Sequence, residues 1–300
     1  MSLDEPSPPR IRFEPSRPGP AVVECRGVSS GYRGHPVLSE ITFSIREPAI
    51  YVVLGPNGSG KTTLFRTLAG ILTPSKGRVE VDGLDIGRQE ARDRLHFLSH
   101  IDGVPDGLRV EEALRFYATI EGATAQDVDR VLGLLELREL RGKFFSELSQ
   151  GQKKRVSIAR IFLRERGIYL LDEPTTNLDP KMATEIRSLL LGLSRQQIVL
   201  YSSHNLFEAR EIGKFVLTLK AGKLAYFGRI SDLRASRYVI GVRGTRVEVA
   251  LPSAARQGDY FLQELSGPEE VPGLIRKLEE KGVKIRELRE MENPLEDLFR

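Results

Sequence analysis

Apolar and polar positions alternate strictly in two early stretches of the chain. Ile41, Phe43 and Ile45, then Val79 and Val81, stand at every second position. A strand with one buried and one wetted face reads this way, and such strands pair antiparallel. Residues 50–54 and 168–171 are instead continuous apolar runs, too short for helices and suited to strands covered on both faces. Helical spacing appears at Val128, Val131, Leu132 and Leu135, with Thr124 and Asp127 ahead of them as a capping box, and residues 110–120 predict a further helix. Ser149 precedes a helix carrying Val156, Ala159 and Leu163, whose Lys153, Lys154 and Arg155 are expected mainly on a solvated face. Asp179 followed by Pro180 predicts the N-cap of a helix that buries Met182, Ile186, Leu189 and Leu193.

From Ala21 to about Phe227 strands and amphipathic helices alternate, which predicts an α/β domain with a parallel core, an antiparallel β subdomain at its flank and a helical subdomain near residues 99–145. Residues 1–20 are rich in proline and poor in apolar side chains, so they are expected to be a disordered tail. The main domain is placed at 21–229. At 230–300 a small C-terminal α+β domain is expected, with strands at 238–242, 246–250 and 283–288 around a helix marked by Val271, Leu274, Ile275 and Leu278.

Composition narrows the class. Of 300 residues 40% are apolar, enough to bury the core of one large domain and a small appendage. The 45 basic and 41 acidic residues are interspersed, so the net charge of +4 does not argue for a nucleic-acid partner, and none is expected. Cys25 is the sole cysteine and lies in an apolar run, which excludes a disulfide within the chain and a zinc cluster and points to a core thiol. No stretch reaches the ~18 apolar residues of a membrane span. Asp4, Glu5 and the prolines after them do not form a signal sequence, so the chain is expected in the cytoplasm.

The chemistry begins at Gly55-Pro56-Asn57-Gly58-Ser59-Gly60-Lys61-Thr62, directly after the apolar run and directly before a helix. Glycines let such a loop curl until successive backbone N–H groups converge on phosphate oxygens, and the helix adds its positive end at the same point. Lys61 supplies charge to the β and γ phosphates, Thr62 a hydroxyl for Mg2+, and Thr63 a nearby phosphate contact. This pattern specifies a nucleotide but leaves kinases, GTPases and motors open. Asp172 and Glu173 end the second apolar run, where Asp172 is suited to the metal and Glu173 to the attacking water of a hydrolysis.

Leu148-Ser149-Gln150-Gly151-Gln152 resembles the signature motif of the ABC ATPases, with Gln150 where many members carry glycine. Tyr32 is similar to the adenine-stacking residue of that family, Asn177-Leu178-Asp179 to its D-loop, and His204 to its switch histidine. His100 takes the place where the family's Q-loop usually presents glutamine, and an imidazole there is a candidate ligand for the metal or its water. The resemblance covers about residues 21–227 and implies a P-loop NTPase fold with a RecA-like parallel core. It also implies ATP and Mg2+ as ligands, and a head-to-tail dimer in which Ser149, Gly151 and Gln152 of one subunit complete the ATP site of another.

Hydrolysis is then expected to use Glu173, His204 and Lys61, with Tyr32, residues 55–63 and Asp179 holding the nucleotide. The implied protein is the ATP-hydrolysing subunit of an ABC transporter at the cytoplasmic face of the membrane. Its partners would be a separate integral-membrane permease, favoured as an exporter, and a second ATPase subunit, identical or not. The residues beyond about Ile230, ending Asn293-Pro294-Leu295-Glu296-Asp297-Leu298-Phe299, resemble the small accessory domain of such exporters. The interval between Lys61 and Asp172 is too short for the long coiled-coil insertion of DNA-directed relatives.

Overall fold

A run of apolar residues at 49–54 has no polar face to turn to water, so it forms a strand in the middle of a sheet. The computed structural model describes residues 21–100, 103–233 and 238–291, and in it all six residues of that strand are buried. The expected tail at 1–20 and the run Asn293 to Phe299 that closes the expected accessory domain lie outside the described residues. The chain opens with β1 (Val23–Tyr32), β2 (His35–Ile45), β3 (Ala49–Leu54) and α1 (Lys61–Leu68). It continues through β4 (Lys76–Val81), β5 (Leu84–Asp85), α2 (Gln89–Arg92) and β6 (Leu95–Leu98) to the helices α3 (Val110–Glu121), α4 (Ala125–Leu134) and α5 (Gln150–Ala159). Then come β7 (Ile168–Asp172), α6 (Pro180–Leu193), β8 (Ile198–Ser203), α7 (Leu206–Ile212), β9 (Phe215–Lys220) and β10 (Lys223–Arg229).

Two sheets share this part of the chain. The alternating segments join a four-stranded sheet of order β2-β1-β4-β5, antiparallel throughout. The continuous apolar runs join a six-stranded sheet of order β10-β9-β3-β8-β7-β6. Its pairs β9/β3, β3/β8, β8/β7 and β7/β6 are parallel. One core cluster joins residues of both sheets to the inner face of α1, with Cys25, Ile41 and Phe43 from one sheet, Val53 and Leu200 from the other, and Leu64 and Phe65 from the helix. The alternation and the continuous runs thus predicted both sheet types, because burial on one face and burial on two demand different patterns.

The helical expectations also hold in their main lines. Thr124 caps α4: its hydroxyl accepts from Asp127 N–H at 3.3 Å, and its own N–H donates to Asp127 Oδ2 at 2.9 Å. Asp179 caps α6 by accepting from Met182 N–H at 3.0 Å, with Pro180 in the first turn. Two details differ. Leu190 rather than Leu189 is fully buried on α6, and α5 gives way to a 3-10 turn at Arg160–Phe162 before it reaches Leu163.

Asn205–Glu211 and the described residues from Gly228 onward form a second compact unit. It contains β11 (Tyr238–Thr245), α8 (Val247–Ala250), β12 (Ala255–Gln257), β13 (Tyr260–Leu265), α9 (Val271–Glu280) and β14 (Lys284–Glu290). The sheet order is β12-β13-β11-β14, with antiparallel pairs. The expected strand at 246–250 is instead a helical turn. Arg246 has φ +65, which breaks the extended backbone. Val247, Ala250 and Leu251 are buried while Val249 is 70% exposed, so the apolar residues follow i, i+3, i+4 rather than alternation. The β12–β13 hairpin, closed by Gly258-Asp259 between the paired Gln257 and Tyr260, adds two strands that the apolar pattern does not predict. Leu274 and Leu278 of α9 pack on this sheet as their spacing required.

Among the described residues no helix is long and apolar enough to cross a membrane. Cys25 is fully buried with its Sγ 3.6 Å from Ile41 O, and burial pushes its thiol pKa up to about 12. In native protein at pH 8 the thiol should resist an aromatic disulfide reagent for hours, and it should react stoichiometrically once denaturant is added. Thr124→Ala should remove the α4 cap and cost about 1 kcal/mol, read from the denaturant midpoint of the cooperative transition.

Candidate functional site

Four neighbouring parallel strands end on one edge of the six-stranded sheet, and the chemistry sits just past their last residues. Register decides which residues meet: Leu54 lies opposite Ser203, Asp172 opposite Ser202, and Leu98 opposite Leu171. The phosphate loop therefore leaves β3 beside His204, Glu173 and His100, the residues that follow β8, β7 and β6. Ligands of open α/β sheets bind at this carboxyl edge.

Within the loop, Pro56, Asn57 and Gly58 form an exposed crown, while Gly55, Ser59, Gly60 and Lys61 are buried beneath it. Gly55 tolerates no side chain, since a Cβ would lie 2.4 Å from Ser59 Oγ and 2.6 Å from Leu219 O. Gly60 caps α1 at φ +105, in the region that other residues rarely enter. Lys61 donates to Gly55 O at 2.7 Å and to Pro56 O at 3.3 Å, so its ammonium is held against the loop it serves. Burial lowers its pKa, while Glu173 and Asp172 pull it back up. Thr63 is buried along α1 and its carbonyl accepts from the Thr67 hydroxyl at 2.8 Å.

Asp172 is pinned at both carboxylate oxygens. The Thr62 hydroxyl donates to Oδ2 at 2.8 Å across 110 residues of sequence, and the Ser202 hydroxyl donates to Oδ1 at 2.7 Å. His100 Nδ1 lies 3.6 Å from the same Oδ2. Thr62 and Asp172 offer two hard oxygens side by side. That donor set fits Mg2+, which takes few protein oxygens and fills its other positions with water and phosphate. Among the described residues no cluster of three or more His, Cys, Asp or Glu side chains could hold an ion unaided. Such an arrangement suits an ion that arrives with a nucleotide.

Glu173 has φ +50, a left-handed conformation that is costly for a side chain of this size. Its carboxylate lies 3.6 Å from His204 Nδ1 and accepts from the Thr176 hydroxyl at 3.3 Å. The His204 side chain is 64% exposed, which rules out a core histidine. Tyr32 ends β1 with its ring partly exposed, and its hydroxyl accepts from Arg66 at 3.1 Å.

The signature residues are organised locally. Ser149 caps α5 by accepting from Gln152 N–H at 3.3 Å, and Gln152 Oε1 accepts from Ser149 N–H at 3.0 Å. Among the described residues no hydrogen bond joins either side chain to the phosphate loop. Gly151 lies against Asn177, where an added Cβ would come 3.2 Å from the carbonyl oxygen. The solvated face expected at 153–155 is not found. Lys154 is buried, and Lys153 is largely covered, lying over the Phe145 ring at 5.2 Å and 3.5 Å from Asp106. The reason is enclosure: Val156, Ser157, Ile158 and Ala159 are buried in succession, so this helix lacks a solvent side along its second half. Pattern reading also missed Ser202 and Thr176, because a hydroxyl in an apolar strand or in a turn carries no spacing signal.

Sequence and structure comparisons relate the chain to known proteins. The family model described as ABC transporter matches residues 38–176. The Nod factor export ATP-binding protein I of Rhizobium johnstonii is 30% identical over 306 residues, covering 93% of this chain and 94% of that protein. The methionine import ATP-binding protein MetN of Caulobacter vibrioides is 32% identical over 226 residues, covering 71% of this chain and 68% of that protein. A solved ATP-binding subunit of an ABC transporter superposes with a TM-score of 0.66 at 25% identity, over 71% of this chain and 92% of its own. With the nucleotide motifs on one sheet edge and a relative aligned over more than nine-tenths of both chains, the chain belongs to the ABC transporter family as an ATP-binding, ATP-hydrolysing subunit.

Proposed function

We propose that this subunit powers export through a separate integral-membrane permease, from the cytoplasmic face of the membrane. The observation that carries the catalytic part is the convergence of Lys61, Thr62, Asp172, Glu173 and His204 at one sheet edge. Residues 55–63 cradle the phosphates, and Tyr32 stacks on the base. Thr62 and Asp172 hold Mg2+, with His100 as a further contact to the ion or its water. When bound with the nucleotide, the ion neutralises charge on the β and γ phosphates. Glu173 orients and deprotonates the attacking water. His204 keeps the γ phosphate and that water in line, and Lys61 offsets the charge that develops as the bond breaks.

The site of one subunit is completed by Ser149, Gly151 and Gln152 of a second, identical or not, with Asp179 near the seam. A helix N-terminus is well suited to a γ phosphate, and Ser149 stands at the head of α5. Residues 21–229 are assigned to the ATPase domain and 230–300 to an accessory domain that stabilises the dimer. Export is favoured over import by the alignment with the Nod factor export protein, which runs through both parts of the chain. Residues 99–145, which carry α3 and α4, are assigned the coupling to the permease.

Glu173→Gln should lower steady-state ATP turnover by about a hundredfold or more while nucleotide binding persists, as loss of a general base requires. Undiminished turnover would remove Glu173 from that role. Purified from its own cell membranes, the chain should bring down an integral-membrane protein in stoichiometric amount. Recovery of ribosomes or nucleic acid in its place would overturn the transport reading.

A further inference from the structure

Ser202 is fully buried in β8 and touches both acids at the end of β7. Its hydroxyl donates to Asp172 Oδ1 at 2.7 Å and accepts from Glu173 N–H at 2.8 Å. A serine hydroxyl has one proton to give and lone pairs to receive, so a single group serves as donor to one acid and acceptor for the other's backbone. Asp172 is the last residue of β7 paired with β8, and the partner opposite it is Ser202. Glu173 lies one residue past this ladder, and Ser202 supplies an acceptor for its N–H there.

That bond fixes a strained peptide. Glu173 sits at φ +50, and a left-handed glutamate persists only where its surroundings over-determine it. Released from Ser202, the peptide would be free to relax toward negative φ. The carboxylate would then swing away from His204 and Thr176. The same loss would leave Asp172 held at one oxygen, by Thr62, instead of two.

We propose that Ser202 is a positioning residue for ATP hydrolysis, acting by locking the Asp172 carboxylate and the Glu173 backbone into one geometry. This rests on the assignment of Glu173 to the attacking water. Ser202 itself is buried one strand position behind the reacting groups and acts through the two acids.

The test compares steady-state turnover and ATP affinity of the full-length chain for Ser202→Ala, Ser202→Thr, Glu173→Gln and the Ser202→Ala/Glu173→Gln double variant. Removing a bond to a charged group should lower kcat for Ser202→Ala by about tenfold to a hundredfold, with the KM and the Kd for ATP changed by about twofold at most. Ser202→Thr, which keeps the hydroxyl, should recover most of the rate. In the Glu173→Gln background the same alanine substitution should cost clearly less than in the wild type, since only the contribution through Asp172 remains. Ser202→Cys keeps the volume and weakens both bonds, and it should lose rate like the alanine variant should that one fail to fold.

Unchanged turnover in Ser202→Ala would overturn the proposal, as would an equal loss in both backgrounds. A rise in KM with kcat intact would overturn it too, since that is the mark of lost binding. Undiminished turnover in Glu173→Gln alone is a different result. It removes the Glu173 assignment, and the alanine and threonine variants then judge Ser202 through Asp172.

Discussion

The parallel pairing of β7 with β8, and of β8 with β3, is the constraint on which the site depends. Side chains far apart in sequence meet because those strands run the same way and finish level. Thr62 and Ser202 then both fall within hydrogen-bonding distance of Asp172. A shift of one residue between β7 and β8 would put Asp172 opposite Tyr201 or Ser203, and a one-residue slip exchanges the faces of a strand. Burial on both faces secures the register. Each residue of β3, β7 and β8 lies in the interior, so a slipped strand would have to repack all of its side chains.

Strain and polarity are concentrated where this rigid edge meets solvent. Glu173 and Asn177 adopt left-handed backbone conformations within the same turn, and Lys61 is buried with its ammonium on loop carbonyls. A polar or strained group survives in such a place when its partners are fixed in advance. Here they are fixed by strands, a helix N-terminus and a loop packed against Leu219. Preorganisation of this kind suits phosphoryl transfer, in which the protein mainly positions groups and offsets charge.

Much of this was legible in the residues. The alternation at 41–45 and 79–81, the solid apolar runs and the helical spacing at 128–135 each report how many faces of an element are covered, and that number is set locally. Where local pattern failed, a non-local fact had intervened. Residues 246–250 look like a strand until Arg246 turns the backbone left-handed and the sheet selects Val247, Ala250 and Leu251 for burial. Lys153 and Lys154 look solvated until neighbouring elements enclose their helix. The β12–β13 hairpin left no trace in the pattern because β12 is three exposed residues and β13 is half-buried along nearly all its length, so neither alternates.

By itself the sequence determined the kind of chemistry and its family, since a phosphate loop, two acids at a strand end and the signature motif are contiguous strings whose function resides in local backbone and residue type. Only the tertiary structure decided which of those strings share an edge. It put His100 beside Asp172 and His204 beside Glu173. It also raised Ser202, a plain serine in an apolar run, to the group that joins both acids. The physical reason is that a hydrogen bond between neighbouring strands is set by register, and register is a property of the assembled sheet.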